Sequence, residues 1–141
     1  MTTPSANRLC VSFWTIAALA LIWNGMGIMN MIMQMDPLKL AAYPASHRAL
    51  IETQPAWAKG MVMLSVIGGA LGGLLLLLRK RLAIYAFLIS LLGAIAAMIH
   101  TLGSGIEFSV FEIALTVVLP VVLVVFWTWH SNLAARKGQI S

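Results

Sequence analysis

Apolar side chains are grouped along this chain into four long runs, which short polar segments separate. A helix rises about 1.5 Å per residue, so about 20 apolar residues cross a hydrocarbon core of roughly 30 Å. Each run therefore predicts a transmembrane helix. The expected fold is all-α, an antiparallel bundle of four transmembrane helices in a single membrane domain, residues 1–141. The predicted spans are about 9–35, 57–78, 82–102 and 106–130.

The connection between the first two runs, residues 36–56, is too polar to cross a membrane. Ser46 is a candidate N-cap for a short helix that continues through Ile51. Pro44 and Pro55 bracket this segment. We expect the short helix to lie at the membrane interface with its apolar side against the lipid.

Composition excludes a water-soluble globular domain. The chain is 61% hydrophobic and only 9% charged, with a mean hydropathy of +0.95, whereas soluble domains carry roughly 25% charged residues. The net charge of +5 does not indicate nucleic-acid binding, because the basic residues lie beside apolar runs rather than on a polar surface. The lipid bilayer is the partner that the composition predicts.

The charged residues separate into two groups when four spans are drawn. The acidic residues Asp36, Glu52, Glu107 and Glu112 fall on one side with Lys39, Arg48 and Lys59, and the other side carries Arg8, Arg79, Lys80, Arg81, Arg136 and Lys137. The positive-inside rule then places both termini in the cytoplasm and the 36–56 loop outside it.

The first run has some features of a signal peptide, with Arg8 before it and small residues at Ala18 and Ala20. The apolar run continues to Met35, far beyond that possible cleavage site. We therefore expect it to be retained as a membrane span.

Small residues recur at four-residue spacing in the second and third runs. Such spacing lets two helices approach closely in lipid. The pattern is compatible with packing inside one chain and with an interface to another copy or another membrane protein. The residues of this predicted packing or partner interface are Ser65, Gly68, Gly69, Gly72, Gly73, Ser90, Gly93, Ala94 and Ala97.

Polar side chains form a stripe along the first predicted helix. Trp23, Gly27, Asn30 and Gln34 are spaced by four, three and four residues, and Asn24 lies one position round the helix. Amides in hydrocarbon need partners, so the stripe is expected to face the bundle interior. It either bonds neighbouring helices or lines a ligand or transport pocket.

Glu112 is a further candidate for such a pocket. Two capping-box patterns, Ser104 with Glu107 and Ser109 with Glu112, leave the start of the fourth helix open. A start at Ser104 places Glu112 inside the membrane, where it is suited to proton coupling, whereas a start at Ser109 makes it a capping residue.

No pattern indicates catalysis, a metal site or a cofactor. His100 is expected near the outer end of the third span and His130 near the inner end of the fourth, so they cannot share one haem iron, and His47 lies in the outer loop. His, Cys, Asp and Glu show no metal-ligand spacing, and the single Cys10 excludes an intrachain disulfide. We expect no enzyme activity, no metal and no cofactor.

Several stretches resemble a family of small bacterial four-helix membrane proteins that are labelled sugar transporters. The resemblance covers about residues 20–95 and includes Tyr43. It rests on LIWNGMGIMNMIMQM, on Pro55-Ala56-Trp57, on GGALGGLLLLLRK and on FLISLLG. It implies the four-helix architecture and a location in the bacterial inner membrane. The family typically has an acidic residue where this chain has Asn30 and an aromatic residue where it has Met31.

Two functions follow as hypotheses. The first is a non-catalytic accessory subunit that packs laterally on a larger membrane complex, since the loops are short and small-residue faces are abundant. The alternative is a small dimeric solute carrier with a polar pocket on the first helix.

Overall fold

The computed structural model describes residues 4–141, with side chains from residue 11 onward, and this part of the chain is helical apart from turns and one extended segment. Four helices of the described chain are long and apolar enough to cross a membrane. A short helix lies between the first two, so the all-α four-span prediction and the predicted loop helix are confirmed. The elements are α1 (Pro4–Gln34), α2 (Pro37–Leu40), α3 (Ala45–Thr53), α4 (Ala56–Leu77), α5 (Leu82–Gly103), α6 (Val110–Ile113), a π-helical turn (Ala114–Val118) and α7 (Leu119–Arg136).

The fourth span is continuous from α6 through the π turn to α7, and its bounds differ from the prediction. It begins at Val110 instead of residue 106 and continues to Arg136 instead of residue 130. Gly105 has a positive φ of 72°, which ends regular helix before the span starts. Ser109 caps the span, so of the two predicted starts the structure adopts the later one.

Helix α3 also starts differently from the prediction. Pro44 is its N-cap residue and makes no side-chain capping bond, and Ser46 lies inside the first turn. Proline is pre-organised for a helix start by its fixed φ. The Ser46 hydroxyl is therefore free of a capping role and bonds elsewhere, as described below.

The α4 and α5 helices are antiparallel neighbours packed through small residues. A Cβ on Gly68 would meet the main chain of Ser90, and one on Gly72 would lie 2.7 Å from the Phe87 ring. Towards the other end, a Cβ on Gly93 would lie 2.6 Å from the Met61 carbonyl oxygen. Backbone contact of this closeness is what small-residue spacing permits.

The α1 helix packs on another face of α4. Gly73 lies against the Leu21 backbone, Gly69 against Asn24, and Gly27 against Val66. On the other side of α5, the Phe87 ring lies 6.1 Å from the Trp127 ring of α7. The order α1, α4, α5, α7 therefore forms an arc, which closes where α1 meets α7 near Phe13 and His130.

The two ends of the bundle are built differently. We call the end with residues 78–81 and 137–141 the turn end, and the end with residues 35–55 and 104–109 the loop end. The largest fully buried apolar side chains, Phe13, Leu76 and Phe87, belong with Trp127 to one core cluster in the half near the turn end. A cavity lies in the half near the loop end.

At the turn end the chain is fastened by backbone bonds. Arg79 adopts a left-handed φ of 57°, and the amides of Arg79 and Lys80 bond the carbonyls of Leu76 and Leu75. This pattern is a Schellman motif. Ser141 bonds both sides of the turn: its amide donates to Arg79 at 2.9 Å, and its carbonyl accepts from Arg81 at 2.9 Å.

Candidate functional site

A cavity of about 400 Å³ occupies the half of the bundle near the loop end. Its walls come from all four spans, and α3 contributes the side facing the loop. The lining residues are Trp23, Asn24, Met26, Gly27, Asn30, Met31, Gln34, His47, Leu50, Ile51, Gln54, Val62, Ser65, Val66, Ala94, Ala97, Met98, Thr101, Leu115, Thr116, Val117, Pro120, Val121 and Val124. This volume is within the usual range of small-molecule sites.

The polar stripe predicted on α1 forms one wall of this cavity. Trp23, Asn24, Asn30 and Gln34 all line it, together with Gly27. The helical spacing of these residues explains why they share one wall. Whether a ligand binds there remains a prediction.

Asn24 is the deepest amide of the wall and is only 5% exposed. Its Nδ2 donates to the Ala20 carbonyl one turn earlier, at 2.8 Å. Its amide also fills the space beside Gly69, since a Cβ there would lie 2.1 Å from Asn24 Oδ1. Gly69 therefore makes room for a buried amide at the floor of the cavity.

Helix α3 covers the cavity at the loop end, and two hydrogen bonds hold the chain at and just before its start. The Tyr43 hydroxyl donates to Asn30 Oδ1 of α1. The Ser46 hydroxyl donates to Glu112 Oε1 of the fourth span. Between these two bonds α3 places Leu50, Ile51 and other side chains over the cavity. The cover is thus tied to both the first and the last membrane span.

Glu112 does not line the cavity. Its Oε2 accepts the Ser109 amide at 2.8 Å, while its own amide donates to Ser109 Oγ at 3.2 Å, which completes a capping box. Its other oxygen accepts the Ser46 hydroxyl. Of the two roles considered for Glu112, the structure therefore places it in capping, and gives it the additional task of holding α3.

His47 is the titratable group that α3 presents to the cavity. Its ring stacks on Tyr43 with centroids 6.4 Å apart and meets the edge of Phe108 at 6.3 Å. Its Nδ1 is buried without a hydrogen-bond partner among the described residues. The imidazole thus places a polar atom without such a partner near the end of the cavity that α3 covers.

The lining is uncharged over the part of the chain that the structure describes. No Asp, Glu, Lys or Arg is among the lining residues. Its polar groups are amides, hydroxyls and the His47 ring, and most of the remaining surface is aliphatic, methionine or glycine. Such a lining suits a neutral molecule that forms a few hydrogen bonds.

The small residues predicted to pack helices divide into two sets. Gly68, Gly69, Gly72, Gly73, Ser90 and Gly93 lie in the contacts of α4 with α1 and α5. Ser65, Ala94 and Ala97 line the cavity, and Ser65 also accepts the Ser90 hydroxyl through its carbonyl at 2.6 Å. An interface of these residues with another protein remains a prediction.

The prediction omitted several polar lining residues, namely His47, Gln54, Thr101 and Thr116. Gln54 and His47 come from the loop, where no periodic pattern marks an inward side. Thr116 lies in the π turn, where the amide of Leu119 bonds the carbonyl of Ala114 five residues earlier. Because a π turn adds a residue to the helical turn, the ordinary helical period misplaces side chains around it.

Among the described side chains, residues 11–141, there is no group of three His, Cys, Asp or Glu residues that could hold a metal ion.

No protein-family model matches this chain, and neither a curated protein nor a solved structure matches it.

Proposed function

We propose that this chain is a small membrane protein of the carrier type, which binds a solute in the cavity between its four spans. The observation that supports this function is the cavity in the half of the bundle near the loop end. It has a volume of about 400 Å³ and is lined by all four spans, while the buried core cluster lies in the half near the turn end. A solute-binding site between membrane spans has this form.

The arrangement of polar groups supports the same function. Three amides of α1, at Asn24, Asn30 and Gln34, face a wall that carries Ser65 and Thr101. Polar groups inside a membrane protein are expensive unless they have partners, and they often mark a substrate path. The proposed protein is non-catalytic and uses these groups for recognition alone.

The accessory-subunit hypothesis has less support from the fold. It depends on small-residue faces that are available to a partner. The glycines at positions 68, 69, 72, 73 and 93 instead contact neighbouring helices of the same chain. Lateral attachment to a larger complex is therefore the second candidate, and it is one of the possible outcomes of the experiment below.

The location and orientation belong to the proposal. We place the protein in the bacterial inner membrane with both termini in the cytoplasm. The turn end supports this orientation, because Arg79 and Arg81 bond Ser141 there and Arg136 lies in the last helical turn of α7. The excess of positive charge at one end then faces the cytoplasm.

Native mass spectrometry of the full chain, extracted in a mild detergent, tests the function. We expect a monomer or homodimer that retains a small molecule. The Ala97→Phe variant fills the cavity wall and should lose that molecule. The Ile99→Phe variant adds a ring on the lipid-facing side of the same helix, where the residue is highly exposed, and should retain it.

Other outcomes distinguish the candidates. Co-migration with larger subunits at fixed stoichiometry would support the accessory role instead. An empty protein, with identical spectra for both variants and for the wild type, would contradict solute binding in the cavity. Asn30→Leu is a poorer test, because Asn30 also holds Tyr43 of the loop.

A further inference from the structure

The cavity is covered differently at the loop end and on the flank. At the loop end, α3 covers it and is tied down through Tyr43 and Ser46. On the flank, α1 and the fourth span form opposite walls, yet these two spans meet only sparsely and near the turn end, where Phe13 lies beside His130. The arc of helices is therefore incomplete at cavity depth.

Residues that line the cavity and are also exposed mark the rim of this opening. On α1 they are Trp23, which is 37% exposed, Met26, which is 63% exposed, and Asn30. On the fourth span they are Leu115, at 45%, and Thr116. Trp23, Met26 and Leu115 suit a surface that faces acyl chains, whereas Asn30 and Thr116 add polar groups to the rim.

Other polar groups of the cavity lie behind this rim. Asn24 is almost fully buried on α1, and Ser65 and Thr101 belong to the far wall formed by α4 and α5. A molecule that enters from the flank therefore passes a rim that is mostly apolar and then meets further amides and hydroxyls. Such an order suits an amphiphile whose polar group enters first.

From this geometry we infer that the cavity is reached sideways, between α1 and the fourth span, and takes an uncharged amphiphile from the lipid phase. The inference rests on the proposed function and adds the route and the ligand class. A charged ligand would have no counter-charge among the described lining residues, and an unpaired charge in hydrocarbon is costly.

The route is tested with a nitroxide label on Ala97→Cys, in the full chain with Cys10→Ser, reconstituted into phospholipid bilayers. Two control labels bracket the result: Ile99→Cys faces lipid, and Glu52→Cys lies exposed on α3. We expect molecular oxygen, which concentrates in lipid, to increase the spin relaxation rate of the label at position 97. The water-soluble nickel complex of ethylenediaminediacetate should leave that rate unchanged. It should thus resemble position 99.

Accessibility to the nickel complex similar to that at position 52 would overturn the lateral route and leave a solute cavity open to water. Spin–spin broadening that disappears on dilution with unlabelled protein would also overturn it, since a second copy would then fill the opening. Both results are independent of whether any solute is retained in native mass spectrometry, so the two proposals fail separately.

The ligand class is tested with three probes of equal chain length: decanol, decanoate and decyltrimethylammonium. Decanol should raise the thermal unfolding temperature of the wild type, by a shift that grows with the logarithm of its concentration. The shift should vanish in Ala97→Phe and persist in Ile99→Phe. An equal or larger shift with either charged probe would overturn the assignment to uncharged ligands.

Discussion

Gly69 of α4 lies so close to Asn24 of α1 that a Cβ at position 69 would come within 2.1 Å of Asn24 Oδ1. The two residues are complementary, because the missing side chain of one accommodates the amide of the other. Asn24 is nearly buried and bonds Ala20, so it has little freedom to move aside. The contact joins the packing of α1 on α4 to the floor of the cavity.

Gly69→Ala is expected to destabilise the protein by about 1–3 kcal/mol, the usual cost of overpacking an interior. Shortening the amide should recover most of that loss, so the double variant Gly69→Ala with Asn24→Ala should be more stable than Gly69→Ala alone. Unfolding by sodium dodecyl sulfate, followed by circular dichroism, measures both effects.

Gly25→Ala is the matched control for this experiment. A Cβ at Gly25 meets nothing within 4 Å, and alanine favours a helix over glycine by roughly 0.5–1 kcal/mol. The control should therefore be neutral or slightly stabilising. Additive effects of the Gly69 and Asn24 substitutions would contradict the proposed complementarity.

Gly93→Ala is expected to be at least as harmful as Gly69→Ala, with a cost of about 1–3 kcal/mol or more. The added methyl group would lie 2.6 Å from the Met61 carbonyl oxygen and 2.8 Å from the Ser65 amide nitrogen. Both atoms belong to the main chain of α4, so the helices themselves must separate. The same unfolding titration checks this.

Truncating a neighbouring side chain should not rescue Gly93→Ala, in contrast to the Gly69 case. Ser65→Ala offers the direct comparison, because the Ser65 backbone remains in place. Full recovery of stability in the Gly93→Ala, Ser65→Ala pair would show that the backbone contact is not the cause.

Ser46→Ala is expected to loosen α3 without unfolding the bundle. The substitution removes the hydroxyl that donates to Glu112, while the capping box of Ser109 and Glu112 remains intact. The global free energy of unfolding should fall only slightly, because the net contribution of one side-chain hydrogen bond is small. Hydrogen–deuterium exchange of residues 45–53 should become faster.

Thr53→Val provides the comparison for Ser46→Ala. The Thr53 hydroxyl bonds only carbonyls of its own helix, at Ala49 and Leu50, so its loss should leave the attachment of α3 unchanged. Equal exchange rates in the two variants would argue that the bond to Glu112 does not hold the cover in place.

Gly138→Ala is expected to loosen the fastening at the turn end. Gly138 has a left-handed φ of 69°, and an alanine in that conformation costs roughly 1–2 kcal/mol. The bonds between Ser141 and the 78–81 turn should then open more often. Faster exchange of the Arg81 and Ser141 amides would show this directly.

The control for that variant is Gly103→Ala, near the end of α5. Its φ lies outside the positive range and its Cβ would meet nothing within 4 Å. It should leave exchange at Arg81 and Ser141 unchanged. Similar exchange rates in Gly138→Ala and wild type would mean that the bonds between Ser141 and the 78–81 turn do not depend on the left-handed residue.

The sequence alone determined a large part of the site, namely those features that depend on a single helix. The number of spans follows from the length of the apolar runs, because backbone groups in lipid must be bonded inside a helix. The shared wall of Trp23, Asn24, Asn30 and Gln34 follows from the helical period. These are local properties, so no knowledge of neighbouring helices was needed.

Only the tertiary structure decided what these elements face. The pairing of Gly69 with Asn24, and that of Ser46 with Glu112, join residues far apart in the chain. The same small-residue spacing serves contacts within a chain and between chains, so the spacing cannot choose between them. The cavity is lined by residues of all four spans, so it belongs to the arrangement of helices rather than to any one of them.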